Sequence, residues 1–119
     1  MSTIKVDTIK DTNNVEVYTA KAWVNFDGTW TSGDPIRASG NVSSITDNGN
    51  GDYTVTFTNA MTDVNYVTFS SCRESLSSSG SDVWGKLYET AQTTTTTRVA
   101  TGQTTTNYNA EQVNVVVFR

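Results

Sequence analysis

The chain has no histidine, one cysteine (Cys72) and one proline (Pro35) among 119 residues. Without histidine, the commonest general base and the usual nucleophile–histidine pairs cannot be built. A single cysteine excludes an intrachain disulfide staple, and without a histidine partner Cys72 reads as an inert packed thiol. Leucine occurs only at Leu76 and Leu87. Leucine favours helices, so its scarcity counts against a helical fold. No apolar run approaches the roughly 20 residues that span a bilayer, so membrane insertion is not expected. Eight cationic residues are scattered among twelve acids, for a net charge of −4. They form no basic patch, and nucleic acid is not an expected partner. The start, MSTIKVDTIK, lacks the apolar stretch of a secretory signal. Synthesis in a cytoplasm without classical export is the expectation.

What the chain does have is 22 threonines, 12 serines, 11 asparagines and twelve aromatic residues. Valine and threonine suit a pleated, half-buried surface. The aromatic content separates this composition from a disordered one. Period-two alternation then places the strands. Ile4, Val6 and Ile9 outline a short segment over 3–9, followed by a turn cluster at 11–14. A strand region runs over 15–26, where Ala22, Val24 and Phe26 share one face and Trp23 takes the other. Segments 42–46 and 53–57 form the clearest hairpin, with Gly49 and Gly51 supplying the positive φ values of its connection. Further strands are expected over 65–73, over 83–89 and around 98–100. Along 112–118, Val113, Val115 and Val117 face one way, and Val116 and Phe118 the other. A strand apolar on both faces belongs in the middle of a sheet or at an interface. The sum is six to eight short strands and no convincing helix. The expected fold is all-β, a small antiparallel β-sandwich or barrel-like domain over 15–119 behind a short N-terminal β segment over 1–14. So few large aliphatic residues make a thin core, and oligomerisation is the common remedy open to such a chain.

Several residues invite a functional reading. Trp30, Trp84 and Tyr88 could form a sugar-stacking surface, although aromatic residues also supply most of the core in a leucine-poor chain. Trp23, in mid-strand, reads as structural. Residues 47–52 alternate acids and amides as calcium loops do, but lack the closing bidentate glutamate, and a hairpin turn explains every position. Arg73, Arg98 and Lys86 could meet an anionic glycan, or be ordinary solvated or salt-bridged charge. Asn41-Val42-Ser43 is a glycosylation sequon without a secretory context. Twelve acids make chance carboxylate pairs inevitable, so their spacing carries no catalytic signal. No catalytic residue, cofactor or metal is expected.

The run Ala20-Lys-Ala-Trp-Val-Asn-Phe-Asp-Gly-Thr29, followed by Ile36-Arg-Ala-Ser-Gly-Asn-Val-Ser-Ser-Ile-Thr-Asp-Asn-Gly-Asn-Gly-Asp-Tyr-Thr-Val-Thr-Phe57, resembles a module of tailed-phage proteins, many of them marine. Those proteins are described as tail-fibre or virion structural proteins. The first eleven residues and the closing run 113–118 are also similar, so the likeness covers about residues 1–69 and the final strand. Residues 30–35 look enlarged against the family pattern, and 70–111 match nothing in it. The resemblance implies a virion location and, for fibres, a homotrimer; the segment 1–14, with Ile4, Val6 and Ile9, would then dock to other virion proteins or trimerise. Loops 29–35, 74–82 and 102–109 would face outward, with a host surface glycan as a possible partner. A capsid decoration or head fibre is the alternative within the virion, and a free carbohydrate-binding module the alternative outside it.

Overall fold

The computed structural model describes residues 2–74, 84–87, 91–103 and 105–119. Within them lie eight strands: β1 (Ala22–Phe26), β2 (Ile36–Gly40), β3 (Val42–Gly49), β4 (Asp52–Phe57), β5 (Val67–Arg73), β6 (Trp84–Leu87), β7 (Thr96–Gly102) and β8 (Gln112–Phe118). They form two four-stranded antiparallel sheets, ordered β2-β1-β8-β5 and β3-β4-β7-β6. Packed together, these make the small all-β sandwich that the alternation predicted. β8 takes a central place, as its two apolar faces required.

The inner faces supply the core. Ala22, Val24 and Phe26 pair across to Val117, Val115 and Val113, and all six are buried. Opposite them Tyr53, Val55, Phe57 and Val99 line the second sheet. Aromatic rings fill the volume that leucines usually fill. Phe26 meets Tyr53 edge-on at 5.1 Å, and Phe57 meets Tyr66 likewise at 5.7 Å. The hydroxyls of the two core tyrosines have partners. That of Tyr53 lies 2.8 Å from the Gly28 carbonyl, and that of Tyr66 lies 2.7 Å from the Thr93 carbonyl.

The two sheets meet at both edges. β2 runs into β3 through Asn41, which sits at φ 54°. Its side-chain amide donates to the carbonyls of Lys21 and Asn59, and its oxygen accepts from the Asn59 N–H at 2.7 Å. On the other side β5 and β6 touch backbone to backbone near Ser70 and Gly85.

Some boundaries differ from expectation. Residues 3–9 form no strand, and the first strand begins at Ala22 rather than at residue 15. Only an isolated bridge between Lys10 and Glu16 and a turn over 11–14 shape the start. The cause is energetic. An isolated two-stranded ribbon is marginal, and Ile4, Val6 and Ile9 stay exposed rather than joining the core. The strand expected around 98–100 extends to 96–102, because it is paired on both sides, by β4 and by β6.

Candidate interaction surfaces

The predicted site residues do not converge. Trp30 is half-buried, packs against the core and tilts over the Tyr53 ring at 6.1 Å. It closes the end of the sandwich rather than standing free in its loop. Trp84 lies on β6 opposite Gly102 and is 46% exposed. Tyr88 and most of the 74–82 loop fall outside the described residues. Ile4, Val6 and Ile9 are all exposed, in an arm over 2–20 that also exposes Val15, Val17 and Tyr18. The arm folds on itself. Asp11 accepts from the N–H groups of Asn13 and Val15, and the Val17 N–H reaches the Ile9 carbonyl at 2.7 Å.

Of the charged candidates, Arg98 is committed to a neighbour, while Arg73 stands exposed at the end of β5 and Lys86 lies on β6 opposite Ala100. Arg98 makes a bidentate pair with Asp52, with contacts of 2.8 and 2.6 Å. The arginine hydrogen bonds hold the Asp52 carboxyl below its ordinary range despite burial. Asp52 is thus turned toward Arg98. Asp47 accepts from the Gly49 N–H, and Asn50 donates to the Asn107 carbonyl. The 47–52 loop is a hairpin turn, with Gly49 and Gly51 at φ 140° and 63°. Asp63 is held low by Arg119, through a second bidentate pair of 2.9 and 2.6 Å. Cys72 faces inward against the core, where burial pushes its thiol up. Among the described residues no three metal-ligating side chains gather.

The feature that sequence reasoning left unassembled is the exterior of the β2-β1-β8-β5 sheet. The register sets its rows. Trp23 pairs with Gly40 on one side and Val116 on the other, and Val116 pairs with Phe69. Phe118 pairs with Val67 in the row beside it. Directly opposed residues share a face, so these five side chains form one patch. Phe69 is 65% and Val67 64% exposed. Trp23 lies across Gly40, where any Cβ would strike the indole ring. The indole covers the glycine and still leaves 44% of the residue to solvent. The next row is polar: Asn25 donates to Asn114 at 2.7 Å, and Asn114 donates to Ser71. Trp23, Val67, Phe69, Val116 and Phe118 each carried the outward phase of a visible alternation. The missing signal was register, which alone aligns three separate strands.

Comparison with protein-family models, with curated proteins and with solved structures finds no match to this chain.

Proposed function

We propose that this protein is a non-catalytic structural module of a bacteriophage virion, a fibre component that assembles as a homotrimer and displays its loops for host attachment. One observation carries the assembly part. The molecule exposes an apolar sheet face and an apolar arm, and the largest exposed apolar patch of a protein is often an interaction site. The virion part rests on the resemblance of residues 20–29 and 36–57 to tailed-phage fibre modules. Binding and display suit a surface whose acids Asp52 and Asp63 are locked in arginine pairs. Particle imaging with an antibody against this chain tests the location. Label on tail fibres is the expected result, label on the head moves the module to a capsid decoration, and unlabelled particles overturn the virion reading. Sedimentation at micromolar concentration tests the trimer, and a stable monomer overturns it.

Trp84 supports a second reading, contact with a host glycan, because its ring stands at a sheet edge with nearly half the residue exposed. Glycan-array binding that vanishes in Trp84→Ala would favour it. Binding unchanged by that substitution, or no binding at all, would remove it.

A further inference from the structure

We propose that the exterior of the β2-β1-β8-β5 sheet seats the N-terminal arm of a neighbouring copy of this chain. This rests on the assembly reading above and names the two surfaces that meet.

Position is the first argument. The Lys21 N–H donates to the Val117 carbonyl at 2.8 Å, so the arm leaves the sandwich beside the end of β8. That is the apolar end of the face, where Phe118 and Val67 pair, while the Asn25–Asn114–Ser71 row lies farther along. The arm's own face stays bare, since Val67 and Phe69 are exposed. Arm and face are therefore adjacent but unjoined within one chain.

Area is the second argument. A stable interface takes about 800 Å² from each partner, near one tenth of this chain's 7581 Å² surface. Trp23, Val67, Phe69 and Phe118, at 42–65% exposure, offer roughly 400 Å² on the scale of ~150–250 Å² per aromatic side chain. Face against face would fall short of a standard interface. If each copy gives an arm and receives one, both exposed surfaces are covered in every copy. Such a head-to-tail contact forms a closed trimer where the rotation between copies is a third of a turn.

Charge is permissive. Lys5 and Lys10 nearly balance Asp7, Asp11 and Glu16 along the arm, and the flanking row on the face is neutral amide and hydroxyl. No block of like charge opposes the approach. The arm also has a reason to bind, because its single bridge between Lys10 and Glu16 is far short of a self-supporting sheet and would gain stability against a surface.

The test uses the full chain with a benzophenone side chain in place of Val6, mixed with an isotopically labelled wild-type copy, irradiated and mapped by mass spectrometry. Crosslinks from the arm of one copy to β1, β5 or β8 of the other are expected. Phe69→Asp, with an unchanged circular dichroism spectrum, is expected to abolish both the crosslink and the oligomer. Should that variant misfold, Val67→Lys serves the same purpose at an equally exposed site. An oligomer whose crosslinks run arm to arm, fall elsewhere, or survive Phe69→Asp overturns the inference and leaves the assembly reading standing. A wild-type chain that sediments as a monomer overturns both.

Discussion

Thr54, Thr56, Thr96 and Arg98 face outward across β4 and β7, while Trp23, Val116 and Phe69 face outward across β1, β8 and β5. The interiors of the two sheets are alike, a continuous wall of valine and aromatic rings. The exteriors are opposite. An antiparallel sheet with one wet face normally reads polar outside, and β4–β7 obeys that rule. Water contact can explain a threonine exterior, but it gives no reason for Phe69 at 65% exposure. The contrast teaches that the two sheets share one kind of interior but not one kind of exterior, and the proposed assembly would give the apolar exterior of the β2-β1-β8-β5 sheet a second cover.

The largest expected effect probes the shared interior. Phe26→Ala removes a fully buried ring that touches Tyr53. It should cost about 3–5 kcal/mol in urea unfolding, the usual cost of emptying an aromatic core site. A smaller loss would mean that the sandwich is loosely packed, and that both its faces matter less than the contrast implies.

The next effect tests whether the polar exterior is held by specific pairing. Asp52→Asn strips the Arg98 guanidinium of its carboxylate partner. Losing a charge-assisted hydrogen-bonded pair at a part-buried site costs about 1–3 kcal/mol. The acid limb follows the same residue. Its folded carboxyl titrates below the ordinary 3.8, so the stability it contributes is complete above that pH and is lost as pH falls through the lower folded value. Asp52→Asn should flatten part of the acid unfolding curve read by circular dichroism.

Alkaline pH probes the interior again, more gently. Burial pushes the Tyr53 hydroxyl up to about 12 from an ordinary 10.0, and Tyr66 moves in the same direction. A raised folded value means that the contribution is complete below pH 10.0 and is lost as pH rises through about 12. Tyr53→Phe should cost about 0.5–1.5 kcal/mol at neutral pH for its lost hydrogen bond. It should also reduce the alkaline slope without removing it, because Tyr66 remains. An unchanged slope would place the sensitivity elsewhere.

How much of this was legible in sequence follows from what period-two patterns can carry. The alternations at 22–26 and 53–57 each settled a strand and its apolar face, and that at 112–118 settled a strand with two apolar faces, of which the structure buries Val113, Val115 and Val117. They are local, and local phase survives folding wherever a core awaits it. Ile4 and Val6 alternate as well, with Ile9 following a break at Thr8, but they form no strand and stay exposed, because alternation needs a partner to bury against. Trp30 read as a free loop aromatic because nothing in residues 29–35 reveals that they fold back over Tyr53. The exposed face was hardest to see. Trp23, Phe69 and Val116 lie 46 and 47 residues apart along the chain, and only pairing register brings them into one row.

The smallest expected effect on the single chain is the one that most sharpens the contrast between exteriors. Phe69→Thr gives β5 the kind of residue that β4 and β7 already carry on their outside. In a dilute monomer, an exposed site away from core and turns should shift unfolding by no more than about 0.5 kcal/mol. If copies associate through this face, association stabilises the folded state by mass action, so the wild-type Tm should climb with protein concentration. The Phe69→Thr variant should then match wild type when dilute and fall behind as concentration rises. A melting series across a hundredfold concentration range separates the possibilities. Parallel curves at every concentration would mean that the apolar exterior is not an association surface. Curves that start together and diverge would mean that Phe69 matters to the assembly and hardly at all to the fold.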